Sequence, residues 1–239
     1  MKRLLYCVLW SGAVKDLPQN KGVQGQQIKF VEHGKIAAVI SDFDPSEISL
    51  DIQNLLIYHN VVDLCFRCGP VIPFRFKTIL ASESEVMRHL DQRGTDYEST
   101  LFRLDNKIEM GIRLILDKRQ TEQIDLKENE NNEVDSDNPG KSYLAKRRTL
   151  YTYQNGLDSR CQEIIDASRK AVEGLYIEHK VESSPKAIQN SSGNEILVSI
   201  HFLIHKSSVE RFREIFDEIR PTLGARVLIS GPWAPYNFV

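Results

Sequence analysis

The sequence predicts an α+β protein of two domains, in which small antiparallel sheets carry packed helices. Three observations predict it. Short runs alternate apolar and polar residues with a period of two, as half-buried strands do. Other runs repeat apolar residues every three or four positions, as amphipathic helices do. A stretch rich in acids then divides the chain of 239 residues near its middle. Strands and helices follow one another without a regular βαβ period, which argues against a wound parallel sheet.

Length and composition bound the answer. Each half is long enough to bury a core without staples. Hydrophobic residues make up 41% and charged residues 27%, ordinary for a globular chain. The net charge of −2 supplies no global basic field for nucleic acid. Four cysteines, Cys7, Cys65, Cys68 and Cys161, follow no secretory signal, and no stretch reaches the length of a membrane span. This predicts a cytoplasmic chain with reduced thiols.

In chain order, Leu4 to Trp10 reads as a strand, and the Gly-, Pro- and Gln-containing segment to about Gln26 as a loop. Ile28 to Glu32 and Lys35 to Asp42 form a hairpin around His33-Gly34. Ile48, Ile52, Leu55, His59, Val62 and Phe66 recur at steps of 4, 3, 4, 3 and 4, which predicts a helix burying that face. Gly69-Pro70 ends it, and Val71 to Leu80 reads as one strand. Ser82 with Glu85 is a capping box for a helix carrying Met87, Leu90, Gly94, Tyr97, Leu101 and Leu104 at heptad spacing. Ile108, Met110, Ile112, Leu114 and Leu116 alternate with Glu109, Gly111, Arg113 and Asp117, so one face alone is expected to be buried.

Residues 1–118 form the expected N-terminal domain, 119–140 an acidic flexible linker, and 141–239 a C-terminal ferredoxin-like domain with a long helix. Within residues 120–140 stand seven acidic residues and one Lys, too little apolar area to order a segment. A helical pattern then runs from about Lys141 to Val181, interruptible at Gly156 and Gly174. Ile196 to Ile204 alternates as a strand, Val209, Phe212, Ile215 and Phe216 mark a helix, and Arg226 to Ser230 a final strand.

Candidate chemistry is sparse. Cys65-Phe66-Arg67-Cys68 closes a helix, whereas a redox pair opens one, and zinc would need two more ligands. The thiols read as small buried hydrophobes. His201 and His205 share a strand face and read as polar surface rather than metal ligands; His59 reads as a hydrogen-bonded core histidine. Glu83 with Glu85, and Asp42 with Asp44, read as helix-start and turn chemistry. No phosphate loop, dinucleotide fingerprint or nucleophile elbow occurs. Lys146-Arg147-Arg148 is short for a nucleic-acid patch and reads as a solvated helix face. The expectation is no enzyme, no cofactor and no metal.

Two segments resist this bland reading. Gly69 to Thr78 packs Pro70, Pro73, Phe74, Arg75 and Phe76 into ten positions. Gly231 to Val239 sets Trp233, Tyr236 and Phe238 among prolines at the chain end, which is not the composition of a frayed tail. The candidate partner-binding or structural residues are therefore Pro70, Phe74, Arg75, Phe76, Trp233, Tyr236 and Phe238. Two roles stay open for these rings: they stiffen or form a binding surface, or they close the core.

These segments carry a resemblance. Gly69 to Thr78 resembles the Gly-Pro-Val-Leu-Pro-Leu-Arg-Phe-Gly-Thr stretch of the gas vesicle protein F/L family (GvpF/GvpL), and the ending Gly-Pro-Trp-Ala-Pro-Tyr-Asn-Phe-Val is similar to that family's Gly-Pro-Trp-Pro-Pro-Tyr-Ser-Phe-Val. Ile108 to Arg113 and Gly140 to Arg147 resemble two further motifs in register, and the opening strand and His33 to Ser41 fit the family's N-terminus. Lys77 stands where Gly is common, and Met110 where Trp is. The F and L subfamilies are not separated by these motifs.

The resemblance implies a two-domain α+β protein with a ferredoxin-like second domain. It implies a role in building or coating the gas vesicle, through contact with the small hydrophobic shell subunit (GvpA-like) and other accessory proteins, in the cytoplasm or on the vesicle. No catalytic residue comes with it, and neither nucleic acid nor membrane is an expected partner. The alternative is a ligand-binding or enzymatic ferredoxin-like α+β protein, since such domains host both.

Overall fold

A computed structural model of the chain describes residues 1–16, 21–44, 46, 52–117, 159–183 and 195–239. These form two compact units, neither continuous in sequence. The first comprises Met1–Met110, Leu203–Ser207 and Gly231–Val239; the second comprises Gly111–Phe202 and Ser208–Ser230. The sequence reading draws 141–239 as one domain, but the C-terminal segment is grouped with the first unit.

The first unit is built on β1 (Lys2–Trp10), β2 (Ile28–His33), β3 (Ile36–Phe43), β4 (Val71–Pro73) and β5 (Ile79–Leu80), in the order β2-β3-β1-β4 with β5 also on β1. Every pairing is antiparallel. Gly34, at φ 60°, supplies the left-handed turn of the β2–β3 hairpin. The β1–β3 register shifts between Leu5 and Cys7, a bulge that sets Leu5 and Val8 on one face. They join Val31, Ile36, Ala38 and Ile40 against Val86, Leu90, Tyr97, Leu101 and Leu104 of α2 (Glu83–Leu104). Tyr6 faces the other way and stacks at 4.8 Å on Tyr58 of α1 (Ile52–Cys68). Helices on both faces explain why Leu4 to Leu9 are all buried.

Several expectations hold here, and several need correction. The capping box forms: Ser82 accepts from Glu85 N–H at 3.2 Å, and the Glu85 carboxylate accepts from Ala81 N–H at 2.6 Å. The expected strand from Val71 to Leu80 is two short strands, split by a turn at Phe76-Lys77. Lys77 sits at φ 72°, a conformation that favours Gly. The expected buried face of α1 is also displaced. Tyr58, Val61, Val62, Cys65 and Phe66 are buried, whereas Ile52 is 77% and Leu55 43% exposed. Tyr58 and Val61 lie to one side of the expected stripe and turn the helix toward β1.

The second unit draws on β6 (Lys107–Asp117), a helix α3 at 159–171, β7 (Tyr176–Ser183), β8 (Glu195–His205), α4 (Val209–Ile219) and β9 (Arg226–Trp233). The sheet order is β7-β8-β6-β9. Strand–helix–strand–strand–helix–strand with the first and third strands central is the split βαβ, or ferredoxin-like, arrangement. Phe202 anchors its core, 5.4 Å from Phe212 and 5.3 Å from Tyr176. The helix expected to reach Val181 ends ten residues sooner. Gly174, at φ 83°, turns the chain into β7. Residues 119–140 and the basic cluster at 146–148 lie outside the described residues, as does the helix start at 141.

Candidate functional site

The C-terminal segment is anchored to the first unit residue by residue. Its strand end passes β6 so closely that a Cβ on Gly231 would lie 2.8 Å from the Glu109 carbonyl oxygen. Gly231 also sits at φ 111°, so both space and backbone require glycine. Tyr236 N–H donates to the Ala234 carbonyl at 2.8 Å, and Phe238 N–H to that of Pro235 at 3.1 Å, curling the chain into a turn. Phe238, 1% exposed, inserts into the core cluster of sheet and α2, and Arg103 donates to its carbonyl. Burying that ring contributes about 2 kcal/mol.

Glu109 makes the tightest attachment. Its carboxylate accepts from Asn237 N–H at 2.9 Å and from Asn237 Nδ2 at 2.6 Å. Alternation along β6 puts Glu109 on the polar side, yet it is only 4% exposed. The segment that covers it comes from 128 positions away, which no local pattern in β6 announces. A buried carboxylate is tolerated when its oxygens are hydrogen-bonded, and here two donors do that.

The Gly69 to Thr78 corner is also pinned. Phe74 N–H donates to the Tyr6 carbonyl at 2.9 Å, and Leu5 N–H to that of Thr78 at 2.9 Å. The Tyr58 hydroxyl, buried beneath, donates to the Leu5 carbonyl at 2.8 Å with the Phe74 carbonyl at 3.0 Å. Burial pushes the Tyr58 phenol far above its ordinary range, so it remains a donor. Phe76 sets its edge against Tyr58 at 5.3 Å, and Phe74 packs against Tyr97 at 6.3 Å.

The candidate residues therefore divide. Phe238 closes the core; Phe74 and Phe76 pack half-buried against it; Pro70 is half-buried and Arg75 exposed. Tyr236 is half-buried, its ring 5.2 Å from His59. Trp233 stands 47% exposed at the rim, 6.1 Å from His59. Together with Asn60, Val62, Asp63 and Ala234, these residues line an open cleft of about 140 Å³. His59 is thus a cleft wall and not the core histidine its helical position suggested.

The remaining candidates take structural places. Cys7 and Cys65 are buried free thiols side by side; burial and this neighbour push the Cys7 thiol well up, which keeps it protonated. Asp42 pairs with Lys29 at 2.7 Å and with Arg3; Asp44 accepts from Ser46 N–H at 2.9 Å. His201 is half-buried 3.8 Å from Glu182, and His205 is exposed. Among the described residues, no three His, Cys, Asp or Glu side chains stand close enough to share a metal ion. No described helix is long and apolar enough to cross a membrane.

The chain is similar to known proteins over nearly its whole length. The chain is 24% identical over 233 residues to gas vesicle protein F of Streptomyces sp. (strain CB03234), covering 93% of each chain. It is 24% identical over 234 residues to gas vesicle protein L of the same strain, covering 91% of this chain and 85% of that one. Its fold is similar to the crystal structure of GvpF from Anabaena sp. PCC7120, with a TM-score of 0.76 at 15% identity over 99% of this chain and 95% of that one. The GvpF structure from Microcystis aeruginosa gives 0.75 at 15% identity, over 99% and 98% of the two chains. The family described as gas vesicle synthesis protein GvpL/GvpF matches residues 2–239, and this chain belongs to it.

Proposed function

We propose that this chain is an assembly or minor structural protein of the gas vesicle that binds the hydrophobic shell subunit (GvpA-like) and other accessory proteins, in the cytoplasm or on the vesicle, and carries out no catalysis. Membership of a gas vesicle synthesis family over residues 2–239 is the observation that carries this reading. The physical logic agrees with it. A subunit that must line a gas phase exposes apolar surface before it polymerises, and unprotected apolar surface aggregates. A rigid surface with an exposed ring can hold such a subunit until assembly, and Trp233 is presented by a segment pinned at Asn237 and Phe238. The cleft beside it is well below the roughly 300–1,000 Å³ of small-molecule sites, and its size suits one side chain.

The test is capture of the purified shell subunit by the chain and by its Trp233→Ala variant, with melting temperatures measured alongside. Lost capture at an unchanged melting temperature supports the binding role of Trp233. Capture that is undiminished in the variant assigns the ring to packing alone, and absence of capture by the unaltered chain removes shell binding from the proposal.

A further inference from the structure

Helix α1 has a second apolar face. Its buried side is Tyr58, Val61, Val62, Cys65 and Phe66. A different stripe begins at Ile52, 77% exposed, and continues through Leu55 and Leu56, 43% and 56% exposed. At helical spacing this stripe runs on through His59 and Asp63, about three turns forming one line along the helix. It spans about 16 Å at 1.5 Å per residue. It ends in the cleft that Trp233 also lines. A surface helix ordinarily turns polar residues outward, so three large exposed aliphatics in one turn and a half are the pattern of a contact surface.

The cleft sets the chemistry of what lies on this stripe. Trp233 and Asp63 both line it. Arg67 Nε and Nη2 both donate to one oxygen of Asp63, Oδ2, at 3.0 and 2.7 Å. Oδ1 has no hydrogen bond among the described residues. An exposed ion pair one turn apart is weak and readily shared with another cation. A cleft lined by both a carboxylate and an indole suits a guanidinium or ammonium group, which can gain from the charge and from cation–π attraction.

We propose that the Ile52–Leu56 stripe and the Trp233 cleft together dock an amphipathic helix of a partner protein, whose apolar side lies on the stripe and whose single Arg or Lys enters the cleft against Asp63. The inference deepens the proposed function and rests on the reading that this chain binds other proteins of the gas vesicle. Apolar anchors one turn apart give the affinity, and the basic residue fixes register and direction.

The experiment uses the full chain and two labelled amphipathic helical peptides that differ only in Arg or Glu at the position facing the cleft. Fluorescence anisotropy is expected to show roughly tenfold tighter binding of the Arg peptide. That preference is expected to vanish in Asp63→Asn. Both peptides should bind weakly to the Ile52→Glu, Leu56→Glu double variant, whose altered side chains are exposed and leave the melting temperature in place. Equal binding of the two peptides, a preference that survives Asp63→Asn, or undiminished binding by the double variant would overturn the proposal. Capture of the shell subunit and accessory proteins is measured on the same samples. Arg selectivity without any such capture supports the docking face while removing the proposed function; capture unaffected by the double variant keeps that function and rejects this face.

Discussion

Glu109→Gln is the most informative single substitution, because it changes one atom of a buried contact. The Glu109 carboxylate accepts two hydrogen bonds from Asn237, at 2.9 and 2.6 Å. Hydrogen bonds to a charged group contribute about 1.5–3 kcal/mol each. Glutamine keeps one acceptor oxygen and turns an amide NH₂ toward the other Asn237 donor. One charge-assisted bond is lost and a neutral one replaces the other. Release from burying a charge offsets part of the loss. The expected net cost is about 2 kcal/mol, or roughly 4–8 °C in melting temperature for a chain of this size. The effect should concentrate in the C-terminal segment, so amide hydrogen exchange at Asn237 is the sharper assay. A loss of about 2 kcal/mol speeds exchange by roughly 30-fold where local opening governs it. Asn237→Ala should act alike, and the double variant should cost less than the sum, as expected of residues in direct contact. Unchanged exchange at Asn237 and an unchanged melting temperature in Glu109→Gln would refute the argument that this carboxylate fastens the chain end.

Other outcomes follow from particular contacts. Lys77→Gly should stabilise the chain by about 0.5–1 kcal/mol in chemical denaturation, because relief of the left-handed φ of 72° outweighs the added entropy of the unfolded chain. Gly22→Ala should cost about 1–3 kcal/mol, since its Cβ would meet the Tyr6 hydroxyl at 2.3 Å, the group that accepts from Val23 N–H. Burial raises the phenols of Tyr6, Tyr58 and Tyr236. Below about pH 10 these groups are protonated in both states, and their contribution is fully present. Above it the unfolded chain loses protons first, so melting temperature should fall with rising pH, less steeply in Tyr58→Phe. Ser168 buries its hydroxyl with no hydrogen-bond partner among the described residues, so Ser168→Ala should raise stability by about 1 kcal/mol in the same denaturation assay.

What the sequence makes legible is what depends on neighbours within a turn or a strand. Alternation in β6 and β8, the Ser82–Glu85 cap and the Gly34 hairpin are local, and each forms where its pattern lies. The rings of the two proline-rich corners also stand out as composition. Which ring closes the core and which reaches solvent does not. Phe238 and Trp233 lie five positions apart, yet one is 1% and the other 47% exposed, and partners far away in the chain decide that. Glu109 is illegible for the same reason, since a remote segment covers it. The α1 face fails differently. Its apolar residues occupy two stripes, and counting the stepwise series Ile52, Leu55, His59 as the buried one selects the exposed face. The signal was present: Tyr58, Val61, Val62 and Cys65 form a second apolar series, and a helix with two such series has two surfaces to satisfy. The split of Val71 to Leu80 turned on a positive φ at a lysine, which residue type conceals.

Direct titration of the purified chain with the shell subunit tests the central claim most closely. The account predicts saturable binding that weakens in Trp233→Ala and in the Ile52→Glu, Leu56→Glu variant while the melting temperature of each holds. Absence of binding up to about 100 μM shell subunit, which excludes a binding free energy more favourable than about −5.5 kcal/mol, would contradict it.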